Sequence, residues 1–179
     1  INQTADFEML LAWLVPAPDI LRVARHVLEG RIAQAEGNFD HAIEEFKVAV
    51  QIEDALPYTE PNYWYYPVRQ SLGATLLMAG RADDAETVFR ETLIETPNNG
   101  WALYGLMQAY DAQGDQPAKA EAEKLFTRAW AGDAPPDLAR LNAAPVTVHW
   151  DRAATTVEIA DLRGTLAVSP RTFGHLQVR

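Results

Sequence analysis

Three stretches of this chain repeat one pattern, and that repetition limits the possible folds more than any other feature. Residues 29–50 read EGRIAQAEGNFDHAIEEFKVAV, residues 72–93 read LGATLLMAGRADDAETVFRETL, and residues 106–130 read LMQAYDAQGDQPAKAEAEKLFTRAW. Each holds an apolar pattern of helical period, a glycine, a short polar turn and a second helical pattern carrying Ala-x-x-x-Phe. The glycines are Gly37, Gly80 and Gly114, the alanines Ala42, Ala85 and Ala122, the phenylalanines Phe46, Phe89 and Phe126. Every marker advances by 43 from the first copy to the second; from the second to the third the glycine advances by 34 and the Ala/Phe pair by 37. The spacing predicts a period of 34, with nine residues inserted in the first gap and three in the turn of the last copy. A fixed period of this length marks stacked supersecondary units, none of which buries its apolar face alone.

Each marker has a physical reason. A glycine after the first helix supplies a left-handed cap and lets the chain reverse. Asp40 and Asp83 suit the positive end of the following helix. Alanine lets two helices approach closely, and phenylalanine four residues on lies on the same face and fills the gap. The second copy carries Leu72, Gly73, Leu76, Gly80, Ala85, Phe89 and Pro97. The first has Gly30, Gly37, Ala42, Phe46 and Ala49, with Pro57 three residues late; the third has Leu106, Tyr110, Gly114, Ala122, Phe126 and Ala129, with Met107 where the first glycine belongs. Over residues 21–131 these copies resemble tetratricopeptide repeats, a 34-residue helix–turn–helix family.

The resemblance implies an all-α, right-handed solenoid for most of the chain. Its concave face would be lined by the first helix of each repeat and would take an extended peptide or short helix. The inward-facing positions it implies include Ala24, Val27, Pro67, Ala74 and Leu77, and among them the expected partner-binding residues are Arg31, Gln34, Gln70, Trp101, Tyr104, Gln108 and Asp111. One subgroup of the family grips a chaperone's C-terminal carboxylate with a basic clamp. The matching positions are Val27, Arg31, Ser71, Trp101 and Gly105, of which only Arg31 suits a carboxylate, so that clamp is not expected.

Around the repeats the chain is expected to divide as follows. Residues 1–20, with DFEMLLAW, form a helix that reads as a half repeat; residues 21–56, 57–99 and 100–132 are the three repeats; residues 133–145 contain a capping helix at PPDLARLN. Residues 146–179 are an extension in which VTVHW, TTVEIA and TLAVS predict three short strands in a meander. The stretch EPNYWYYPVRQ, residues 60–70, falls in the insertion before the second repeat. Pro61 suits the first turn of a lengthened helix, and Pro67 would bend that helix or mark a later start. Four consecutive aromatics cannot share one helix face. They either bridge the widened gap between repeats or leave Tyr63 or Tyr66 on a secondary partner surface.

Composition narrows the function. A net charge of −10 repels phosphate backbones and argues against nucleic acid. No apolar run reaches the length of a membrane span. There are no cysteines, and the four histidines stand apart without metal-ligand spacing; His26 reads as a core histidine. No nucleophile elbow or phosphate loop is present, so no catalytic residue, metal or cofactor is expected. The chain begins with Ile1 and reads as a piece of a longer, bacterial-type repeat protein, expected in the cytoplasm, with the periplasm as the alternative. The expected function is a non-catalytic scaffold binding a peptide or partner protein. The alternatives are a self-associating structural segment, which would make a homo-oligomer, and an accessory domain of an enzyme.

Overall fold

The computed structural model describes residues 11–12, 15–136 and 138, together with the backbone of 147–151, 156–161 and 164–168. The chain forms two compact units, residues 1–143 and 144–179. Among the described residues of the first, six helices run in pairs joined by short turns: α1 (Ala17–Ala35), α2 (Phe39–Ala55), α3 (Arg69–Met78), α4 (Ala82–Glu95), α5 (Gly100–Gln113) and α6 (Gln116–Ala129). Consecutive helices pack on one another along the row, and α3 also touches α5, so the first helices of the second and third pairs are neighbours. Among the described residues of the second unit are three strands, β3 (Thr147–Asp151), β4 (Thr156–Asp161) and β5 (Gly164–Val168), antiparallel in the order β3-β4-β5.

The ends of the helices explain themselves. Gly37, Gly80 and Gly114 sit at φ of +75°, +73° and +78°. Just beyond them, the N–H groups of Asn38, Arg81 and Asp115 donate to the carbonyls of Ala33, Leu76 and Tyr110. Those bonds satisfy carbonyls that the ended helix leaves open. Asn38, Asn99 and Asp115 cap the next helices by accepting from His41, Ala102 and Ala118 N–H groups. α1 starts at Ala17, four residues before the expected repeat boundary, because Pro18 lies in its first turn, where a missing N–H costs nothing.

Three expectations change. The turn of the third copy contains no insertion: α4 and α6 start at Ala82 and Gln116, each two residues past its glycine. Ala122 and Phe126 are instead displaced by nearly one turn within α6, which keeps Ala122 in the core. The aromatic run is not a lengthened helix either. Residues 56–68 are irregular, and Pro67 marks a late start for α3, leaving it 10 residues against 14 for α5. Of the helix expected over DFEMLLAW, Leu11–Ala12 are described, as a two-residue strand β1 paired with β2 (Val15–Pro16); the remainder, like most of the expected capping helix, lies outside the described residues.

The core of the helical unit is built on the repeat markers. Ala42, Phe46, Ala85 and Phe89 are all completely buried. The Phe46 ring lies against Gly30, where an added Cβ would stand 3.0 Å from it. The Phe89 ring lies between Gly73 and Gly105, with added Cβ atoms 2.7 and 2.2 Å away. Glycine is required there because the phenyl ring occupies the space a side chain would need. Met107 stands where the third copy was expected to carry its glycine; Gly105, two residues earlier, approaches Phe89 of the second copy.

Candidate functional site

A cleft of about 560 Å³ opens where the aromatic loop crosses the row of first helices. Arg31 of α1, Gln70 of α3 and Trp101 of α5 line it, with Tyr65, Tyr66 and Pro67 from the loop and Asn99, the cap of α5. Residues seventy positions apart therefore meet on one surface, because the repeat brings each first helix beside the next. Arg31 Nη2 donates to Tyr66 Oη at 3.2 Å and Ser71 Oγ at 3.3 Å, and those two hydroxyls are 3.0 Å apart. The guanidinium is thus held at the cleft by groups from the second repeat. Tyr65 packs edge-on to Tyr66, with centroids 4.7 Å apart, and is 82% exposed.

The expected partner-binding residues separate into two groups. Arg31, Gln70, Trp101 and Tyr66 come together in the cleft. Gln34 does not reach it: its side chain is buried and donates to Thr75 Oγ1 at 2.5 Å, joining α1 to α3. Tyr104 turns toward α6 and packs on Phe126, with centroids 5.6 Å apart. Asp111 accepts from Lys119 at 2.6 Å and from Gln116 at 3.3 Å, which holds its carboxyl below the usual range and closes the turn between α5 and α6. Gln108 is half-buried on α5 and is not among the cleft residues. Tyr63 lines a second pocket, described below. Sequence reasoning missed Tyr65 and Asn99. Asn99 carried a signal, a cap-type residue directly before a helix; Tyr65 carried none, since an irregular loop has no periodicity to read.

Residues 76–144 match the family model described as tetratricopeptide repeat. Over residues 76–144 the chain carries tetratricopeptide repeats. The match begins inside α3 and takes in α4, α5 and α6. The repeat formed by α1 and α2 has the same glycine turn and the same buried Ala/Phe pair. No curated protein and no solved structure matches the chain. Tetratricopeptide repeats generally mediate protein–protein interaction and are typically non-catalytic. Among the described residues no helix is long and apolar enough to cross a membrane.

Between the first two helix pairs a second pocket of about 490 Å³ is bounded by the end of α2, the aromatic loop and the end of α4. Glu53 lies in its wall and accepts the Val68 N–H at 2.9 Å, which fixes the start of α3. Burial pushes the Glu53 carboxyl up to about 7; Asp54 and Glu95 push the same way, while the Val68 bond and Arg69 oppose it. Arg69 is gripped by both oxygens of Asp54, at 2.5 and 2.6 Å, and reaches Glu91 at 3.5 Å.

Within the first repeat His26, Glu29 and Glu45 place three ligand-type atoms within 4.8 Å of one another. His26 Nε2 accepts from Arg25 at 3.0 Å, so its ring proton lies on Nδ1 and is donated to Glu45 at 2.7 Å. That bond, first among the causes, lowers the Glu45 carboxyl below its ordinary value. The arrangement works as a polar clasp between α1 and α2. His26 is largely buried, as expected of a core histidine.

Proposed function

We propose that this chain is a non-catalytic protein-interaction module which takes a peptide segment of a partner protein in the cleft between Arg31, Tyr65 and Trp101. The observation that carries this reading is the convergence of an anchored guanidinium, the Asn99 amide and three aromatic rings from successive repeats on one open surface. Aromatic residues and arginine are the side chains that dominate binding energy at protein interfaces. The amide of Asn99 suits main-chain groups of an extended segment, and Gln70 lies buried in the floor of the cleft.

The test is affinity capture from the source lysate with the wild-type chain beside a Tyr65→Ala/Trp101→Ala variant, read by quantitative mass spectrometry. Neither side chain belongs to the fully buried core, so the variant keeps its helicity, which circular dichroism checks. At least one captured protein is expected to fall by about tenfold or more in the variant, the usual consequence of losing an interface anchor. Equal capture of every protein by both chains overturns the assignment to this cleft.

A second reading, self-association, is favoured by one stripe on α1. Leu21, Leu28 and Ile32 lie on one helix face and are 40%, 54% and 43% exposed. Under this reading, light scattering finds dimers or larger species as concentration rises, and Leu28→Glu returns the chain to monomer. A strict monomer at high concentration excludes it.

A further inference from the structure

We propose that the pocket between the end of α2, the aromatic loop and the end of α4 is a receptor for a basic side chain, the ammonium or guanidinium group of a lysine or arginine on a protein partner. The site is separate from the Arg31 cleft, and Pro67 is the one lining residue they share.

Its chemistry is that of a cation site. Tyr58, Tyr63 and Trp64 supply aromatic walls, and Glu53, Asp54 and Glu95 supply three carboxyl groups. The cation already in the wall, Arg69, is engaged by Asp54 and Glu91, so the Glu53 and Glu95 carboxyls remain to balance an incoming charge. Aromatic rings attract cations through their negative faces, and a carboxylate adds a charge-assisted hydrogen bond. A volume of about 490 Å³ falls within the range of pockets that enclose small ligands, and is ample for one long side chain. Burial keeps Glu53 partly protonated near neutral pH, and a bound cation reverses that by stabilising the carboxylate.

One further group selects a peptide over a free amine. The indole N–H of Trp64 is buried and, among the described residues, has no acceptor. A buried donor without a partner is costly. A peptide supplies a carbonyl close to its basic side chain, whereas a polyamine supplies only donors.

The test titrates acetyl-Gly-Lys-Gly-amide, acetyl-Gly-Arg-Gly-amide and the norleucine analogue into the full chain. Nitrogen-15 NMR follows the Trp64 indole and the Val68 amide. The basic peptides are expected to bind about tenfold tighter than the norleucine peptide, the gain of one charge-assisted contact. Glu95→Gln, a change at an exposed residue, should weaken them by about three- to tenfold. Affinity should also fall between about pH 8 and pH 6 as Glu53 takes up its proton. The Tyr65→Ala/Trp101→Ala variant should bind these peptides normally, so failure of the Arg31 cleft and failure of this pocket are told apart. The proposal is overturned if norleucine binds as well as lysine and arginine, or if Glu95→Gln leaves affinity unchanged. It is equally overturned if spermidine alone matches the peptides and moves the Trp64 indole, or if nothing shifts up to about 10 mM peptide.

Discussion

Gly105→Ala should lower the stability of the helical unit by about 3 kcal/mol, at the upper end of what overpacking a core usually costs. For a unit of this size that is a fall in Tm of roughly 6–12 °C. An added Cβ would stand 2.2, 2.4 and 2.6 Å from Cζ, Cε1 and Cε2 of Phe89. Real carbon contacts lie near 3.5 Å or beyond, so either ring or backbone must move. The ring cannot retreat, because Gly73 of α3 presses on it from the other side with an equivalent distance of 2.7 Å. The strain therefore falls on the contact between the second and third repeats. Phe89→Leu in the Gly105→Ala background should recover part of the loss, since the smaller side chain vacates the contested space, and the pair would be strongly non-additive. Urea and thermal unfolding of the two single variants and the double variant measure this. A loss below about 1 kcal/mol for Gly105→Ala would mean that α5 slides away from Phe89 freely, and that the two repeats are less tightly locked than the packing indicates.

That prediction rests on a residue whose importance was hidden in the sequence, and the reason is instructive. Ala42, Phe46, Ala85 and Phe89 were legible because each recurs at one spacing within its own repeat, and all four are buried. Gly105 serves the ring of the preceding repeat, so no marker within its own copy announces it. The three-residue shift of Ala122 and Phe126 was legible as a number but not as a location. Three residues inserted in a turn and nearly one turn of displacement along a helix give the same arithmetic. At the candidate cleft, Arg31, Gln70 and Trp101 followed from the repeat register. Gln34 and Asp111 obeyed the same register yet found partners in Thr75 and Lys119, contacts set by neighbouring helices rather than by position in the repeat. The aromatic run was the least readable. Its residues divide between the two pockets, with Tyr65 and Tyr66 in one and Tyr63 and Trp64 in the other, because an irregular loop follows no period.

Glu53→Gln should stabilise the chain at alkaline pH and leave it nearly unchanged in mild acid. The sign follows from the direction of the shift. In the folded chain the carboxyl is raised from 4.5 to about 7. Below 4.5 both folded and unfolded chains are protonated at this site and no penalty exists. As pH rises from 4.5 toward 7 the unfolded chain ionises while the folded one resists, so stability is lost across that window and the loss is complete above it. The whole interval corresponds to a ceiling of about 3 kcal/mol; because the carboxyl lines an open pocket, about 1.5 kcal/mol is the expected gain for the neutral amide at pH 8. Glutamine retains an oxygen to accept the Val68 N–H, and its NH₂ faces a wall that holds Asp54 and Glu95, so the substitution keeps the bond that starts α3. Urea unfolding of wild type and variant at several pH values between about 5 and 8 provides the measurement, and only the difference between the two chains matters. Glu45 and Asp111, whose carboxyls are lowered, weaken both chains alike in acid and cancel from that difference. A difference that stays flat with pH, or that makes the variant less stable at pH 8, would mean that the carboxylate is already well solvated or paired in the pocket. Saturation with the lysine peptide should remove the part of the wild-type pH dependence that Glu53 causes, since a cation beside Glu53 returns its ionisation toward the ordinary range and leaves the unfolded and folded chains with the same proton to lose.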